Sequence, residues 1–170
     1  NEWNDDDTIN YSHALPRRLS AEQLYDAIIQ ATGAPRALPG VPAGFRASEL
    51  PDSQVDVAFL DMFGRPPRES PCECERTTDV SLGQTLNMVN GPTIGDAIAH
   101  PDGIIAKTLA AGATNEQLIE TVYLSTLCRK PSADEMAATL EYYKTVATPK
   151  EATEDLAWAL INSPGFLFNR

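Results

Sequence analysis

The sequence predicts an all-α protein: an irregular multi-helix bundle interrupted by long Pro/Gly-rich loops. Three observations carry that prediction. Four segments open with a helix-capping signature, several helical stretches stop at a glycine, and no window alternates apolar and polar residues between hairpin turns.

The elements follow in order. In SAEQLYDAIIQATG, Ser20 and Gln23 stand as cap and box partner. Leu24, Ile28 and Ala31 or Thr32 share one helical face, and Gly33 supplies the left-handed residue that ends it. Short helices are expected over 55–63, stopped by Gly64, over about 79–90, stopped by Gly91, and over 92–99 and 102–111. TNEQLIETVYLSTLCRK repeats the cap with Thr114 and Gln117. Its apolar face reads Leu118, Val122 or Thr121, Ser125 and Cys128, widened by Leu124 and Leu127. SADEMAATLEYYKTVA repeats it with Ser132 and Glu135, then Met136, Leu140 and Tyr143. The connection CRKPS is short, so these two helices should pair antiparallel. The two boxes resemble a weak repeat, but a solenoid needs a third unit at the same period, and there is none.

In TPKEATEDLAWALINS, Thr148 caps, Pro149 takes the first helical position and Glu151 is the box partner. Leu156, Trp158 or Ala159, Leu160 and Ile161 form its apolar face. Asn162-Ser163-Pro164 then turns the chain, and Phe166, Leu167 and Phe168 are expected to close the core. Residues 33–53 are too rich in Pro and Gly for a regular element, and 64–78, rich in Pro and Arg, form a second irregular segment. Phe45, Leu50 and Phe63 should press these loops onto the helices.

A length of 170 residues fits one domain, and 42% hydrophobic residues are enough to build a core. Residues 1–14 read as a linker or extended N-terminal segment, and 15–170 as a single helical domain, the C-terminal module of a larger protein. The opening residues lack the layout of a secretion signal and look like the interior of a longer polypeptide. Thirteen cationic against 24 anionic side chains give a net charge of −11, which repels nucleic-acid phosphates and anionic lipid. No apolar stretch approaches the length of a membrane span. No nucleic-acid partner and no membrane insertion are expected.

Candidate chemistry centres on RESPCECERTT, which holds Cys72 and Cys74. Cys-x-Cys is too tight for the common zinc knuckle and differs from the Cys-x-x-Cys of thiol oxidoreductases. A disulfide is the preferred reading, either a strained local one or a freer one from either residue to Cys128, with buried free thiols as the alternative. Glu75 and Arg76 stand just before a helix, where an acid or anion clamp competes with a structural ion pair. Arg65, Arg68 and Arg76, with Arg17 and Arg18, offer a local anion site, unless Glu69, Glu73 and Glu75 neutralise them. The structural reading is preferred for both groups, and Arg65, Arg68, Glu75 and Arg76 stand as the candidate functional loop. His100 and Asp102 read as a helix stop, not as part of a hydrolase triad. NDDDTIN offers calcium oxygens but lacks the EF-hand glycine and terminal glutamate. Tyr142, Tyr143, Trp158, Phe166 and Phe168 fit a sugar-stacking platform, and at helical spacing they fit a core better.

The stretches LPRRLSAEQLYDAI, FGRPPRESPCECERTTDVSLGQTLNMVNGP, LCRKPSADE and EDLAWALINSPGFLFNR resemble one family, planctomycete-specific domain one, a domain of unknown function. The resemblance runs from about Leu15 to Arg170. It implies the last module of a large secreted protein, after a cytochrome c domain and a second domain of unknown function. It therefore implies an extracytoplasmic setting, where disulfides form. No cofactor is expected in this chain, which lacks Cys-x-x-Cys-His; a haem would belong to another domain. The role that follows is a non-catalytic structural or interaction module, partnered by neighbouring domains of the same polypeptide. The alternatives are part of a haem-linked oxidoreductase, or a carbohydrate-binding module for anionic polysaccharide.

Overall fold

Helices form where the caps place them. The structure, a computed structural model, describes residues 7, 9–10, 12–67 and 81–169. A two-residue strand, β1 (Arg17–Arg18), leads into α1 (Ala21–Thr32). Ser20 Oγ accepts from Gln23 N at 3.3 Å, and Gln23 Oε1 accepts from Ser20 N at 3.2 Å, closing both halves of the box. Gly33 ends α1 at φ 66°. A 3-10 turn (Ala47–Glu49) follows, then α2 (Ala58–Met62), α3 (Leu82–Asn90), α4 (Pro92–Ile98) and α5 (Ile104–Ala110). The C-terminal half holds α6 (Asn115–Leu127), α7 (Ala133–Tyr143), α8 (Pro149–Ile161) and the short α9 (Pro164–Leu167). Last comes β2 (Phe168–Asn169), antiparallel to β1, with Arg18 opposite Phe168. The fold is all-α, and the β1–β2 pair is a clasp between the two ends of the described domain. Among the described residues no helix is long and apolar enough to cross a membrane.

Two helices organise the packing. α8 touches α4, α5, α6, α7 and α9, and α1 touches α2, α4, α5 and α6. Leu24, Ile28, Leu60, Ile94, Leu118 and Ile161 are essentially sealed from water, each worth about 1.5–3 kcal/mol of burial. A smaller cluster of Ile119, Tyr123, Tyr143 and Ala152 joins α6, α7 and α8. Beneath it Tyr143 Oη shares a 2.8 Å hydrogen bond with Thr153 Oγ1.

The double packing of α6 corrects its expected face. Leu118 and Val122 are buried, but the stripe continues through Ile119, Tyr123 and Thr126 instead of Ser125 and Cys128. Val122 faces the main core while Ile119 and Tyr123 face α7, so two sides of this helix are covered and Leu124 is left outside. Helix α2 starts at Ala58, three residues later than expected. Val55 and Val57 precede it in non-helical backbone, which suits their β-branched side chains. Gly91 ends α3 as expected, but in extended backbone at φ −71°, where it also caps α4. A Cβ there would fall on the Asn87 carbonyl.

The 33–53 segment wraps the core as expected. Asp26 on α1 accepts from Ala47 N at 2.8 Å and Ser48 N at 3.0 Å, docking the 3-10 turn. Leu38, Ala47 and Leu50 are buried, and so is Phe63. Phe45 is not: these anchor points already fix the loop, and the residue is 42% exposed. The tail divides likewise. Ala157, Ile161 and Phe166 enter the core, whereas Trp158 and Phe168 stay at the surface.

Candidate functional site

Of the residues singled out in the functional loop, the structure describes Arg65. Its side chain is 4% exposed. Nη1 donates to Val55 O at 2.8 Å, while Nη2 and Nε donate to Asp61 Oδ1 at 2.6 and 3.1 Å. A guanidinium so occupied is a clamp between α2 and the chain before it, with little left for an incoming anion. Arg68, Glu75 and Arg76 lie outside the described residues, as do Cys72 and Cys74. Cys128 is exposed with a free thiol, and it ends α6 in left-handed backbone at φ 54°.

The remaining polar candidates close on themselves. His100 Nδ1 accepts from Asp102 N at 3.1 Å, making the turn that separates α4 from α5. Asp7 Oδ1 accepts from Asn10 N at 2.9 Å and Ile9 N at 3.1 Å. These bonds, the one from Asn10 N foremost, hold its carboxyl down at about 2. Among the described residues no three His, Cys, Asp or Glu side chains converge as a metal site would require.

The aromatic set splits. Tyr143 and Phe166 are core, while Tyr142, Trp158 and Phe168 are exposed. Trp158 is the hinge of the exposed surface. Its Nε1 donates to Val89 O at 3.1 Å, tying α8 to α3, and its ring borders a recess on either side.

The first recess, about 320 Å³, lies between α3, β1 and the tail. Leu24, Phe63 and Met88 line it together with Trp158 and Phe168. Its polar edge is a relay: Arg18 Nη1 donates to Gln84 Oε1 at 2.7 Å, and Gln84 Nε2 donates to Met62 O at 3.0 Å. Arg18 also lies over the Phe63 ring at 5.9 Å. Gln84 is at the same time the box partner of Ser81, accepting from Ser81 N at 3.4 Å. This box went unread in the sequence, although Ser81-x-x-Gln84 carries the same signature as the other four segments. Along α3, Leu82, Leu86 and Val89 are 75%, 54% and 43% exposed at i, i+4 and i+7. Val89 joins this stripe to the recess.

The second recess is a groove of about 470 Å³ between α7 and α8. Ala138, Leu156 and Ala159 line it beside Tyr142, Asp155 and Trp158. Tyr142 Oη donates to Asp155 Oδ2 at 2.7 Å, which pushes the phenol above its ordinary pKa. Both recesses offer apolar area and ring faces with a few fixed polar atoms, which is the chemistry of recognition.

No curated protein and no solved structure matches the chain. One family does, described as PSD1: Protein of unknown function (DUF1553), over residues 1–143. The match ends at the last residue of α7, so α8 and α9 lie beyond it even though α8 is central to the packing. The matched span is most of the chain, and this protein belongs to the PSD1 (DUF1553) family of proteins of unknown function.

Proposed function

We propose that the chain is a non-catalytic docking module of a larger extracytoplasmic protein, seated against a neighbouring domain of the same polypeptide through the outer face of α3. One observation carries the reading. The nine residues of α3, LGQTLNMVN, contain no charged side chain in a protein that is 22% charged, and they expose three large aliphatic residues in one stripe. An apolar stripe beside exposed Trp158 and Phe168 is what a protein contact covers. The extracytoplasmic setting and the neighbouring domain rest on the family resemblance. A haem-linked role would place the haem in that neighbour. An anionic polysaccharide is the poorer occupant of the aromatic groove, because Asp155 lines it.

Hydrogen exchange tests the proposal. The α3 amides are expected to exchange more slowly in a longer polypeptide carrying the adjacent domain than in the 170-residue chain. Leu82→Glu with Leu86→Glu should remove that protection while shifting the chain's own stability by no more than about 0.5 kcal/mol per site. Equal exchange of α3 in the two forms would refute docking through this face.

A further inference from the structure

We propose that the groove between α7 and α8 binds the cationic side chain, Lys or Arg, of a basic peptide segment on a partner protein. The groove combines two aromatic faces with one carboxylate. Tyr142 on α7 and Trp158 on α8 are 43% and 38% exposed, and Asp155, three residues before Trp158 on α8, bonds to Tyr142 between the two helices. The polar atoms of both rings are committed, Trp158 Nε1 to Val89 O and Tyr142 Oη to Asp155 Oδ2. What each ring still offers is its π face, which attracts a cation. The small side chains of Ala138 and Ala159 leave room for an aliphatic stem to lie along the groove.

The same protein already contains the filled version of this arrangement. Arg129 lies over the Tyr123 ring at 5.4 Å while its two terminal nitrogens donate to the Glu135 carboxylate, each at 2.7 Å. Ring, carboxylate and guanidinium form one set there. At Tyr142, Asp155 and Trp158, the ring and carboxylate members recur.

Charge favours a cation over the other occupants. Residues 132–163 carry Lys144 and Lys150 against Asp134, Glu135, Glu141, Glu151, Glu154 and Asp155, or 2 − 6 = −4. Both lysines stand beside carboxylates of their own, Lys144 with Glu141 at 2.6 Å and Lys150 with Glu154 at 3.6 Å. The whole chain is at −11 and steers a basic segment toward itself. This inference concerns a different recess from the α3 face and does not depend on docking there.

The test is a titration followed through the Trp158 indole N–H signal, assigned with Trp158→Phe. The probes are end-capped Gly-Arg-Gly and Gly-Lys-Gly peptides, tetramethylammonium and cellotetraose. A saturable shift with the peptides is expected, weakened about three- to tenfold by Asp155→Asn. Asparagine keeps an acceptor for Tyr142, so the fold is retained. Asp56→Asn removes one exposed charge away from the groove and should leave binding unchanged. No saturable shift with either peptide, or equal weakening by the two variants, overturns the proposal. So does binding of tetramethylammonium or cellotetraose in place of the peptides.

Discussion

Arg65 satisfies the Val55 carbonyl and the Asp61 carboxylate with one nearly buried side chain. Arg65→Ala should therefore lower unfolding free energy by about 1.5–3 kcal/mol, the usual worth of hydrogen bonds to a charged group. Arg65→Lys should not rescue it, because an ammonium cannot span both oxygens as the planar fork does. Chemical denaturation with an unchanged m-value would show the loss; unchanged stability in Arg65→Ala would return this residue to the list of ligand-binding candidates. Half of the clamp was written in the sequence as Asp61 and Arg65 at i, i+4. The other half, a carbonyl ten residues upstream, depends on how an irregular segment is laid down and has no local signature. The Arg129–Glu135 pair gives a pH prediction. Hydrogen bonds from Arg129 and from Ser132 N hold the Glu135 carboxyl down from an ordinary 4.5 to about 2. A depressed acid stabilises the fold above its unfolded pKa and loses that contribution as pH falls through its folded one. The melting-temperature gap between the parent and Glu135→Gln should thus be open at neutral pH and close between about pH 4.5 and 2. A gap independent of pH would mean that the carboxylate charge is immaterial.

Helix starts were the most legible elements, because a cap is a contact between residues three apart and the sequence contains both partners. Ser20, Thr114, Ser132 and Thr148 all accept from the backbone N–H three residues on. Helix faces were less legible. The stripe of α6 was read for one packing partner, and the helix has two. In the adjacent pair Tyr142 and Tyr143 the period through Met136 and Leu140 picks out Tyr143, and that ring is the buried one while Tyr142 stays exposed. The surface around Trp158 was harder: Trp158 and Phe168 were read with the core, and both stay outside. Helix α3 turns the distinction into an experiment. Ser81→Ala removes one cap acceptor and should cost about 1 kcal/mol. Gln84→Ala removes the other half of the box and also the link between Arg18 and the Met62 carbonyl, so it should cost more, about 2–3 kcal/mol. Thermal melts of the two variants side by side check the order. Equal costs would mean that the Arg18–Gln84–Met62 relay contributes nothing beyond capping.

At the scale of the whole molecule, the family match stops where the packing does not. Residues 1–143 supply α1 to α7, yet α4 to α7 converge on α8, which brings Ala157 and Ile161 into the main core and Ala152 into the smaller cluster. Without α8, Ile119, Val122 and Tyr123 would lose one of their covers, and Tyr143 its hydrogen-bond partner Thr153. Three or four large side chains returned to water at about 1.5–3 kcal/mol each are comparable with the 5–15 kcal/mol that hold a typical domain together. A chain ending at Val146 should therefore keep some helical circular dichroism but melt without a cooperative transition. A chain ending at Ser163 retains α8 and loses a smaller set: Phe166, the β1–β2 clasp and the Leu19 N to Leu167 O bond of 3.1 Å. It should still melt cooperatively, at a lower temperature, with a loss near the 3–5 kcal/mol typical of removing a buried Phe side chain. The two truncations together separate core from accessory. If the chain ending at Val146 melts as cooperatively as the full 170 residues, α8 is an appendage to a domain complete without it. If the chain ending at Ser163 keeps the full melting temperature, the tail serves the surface around Trp158 and not the core.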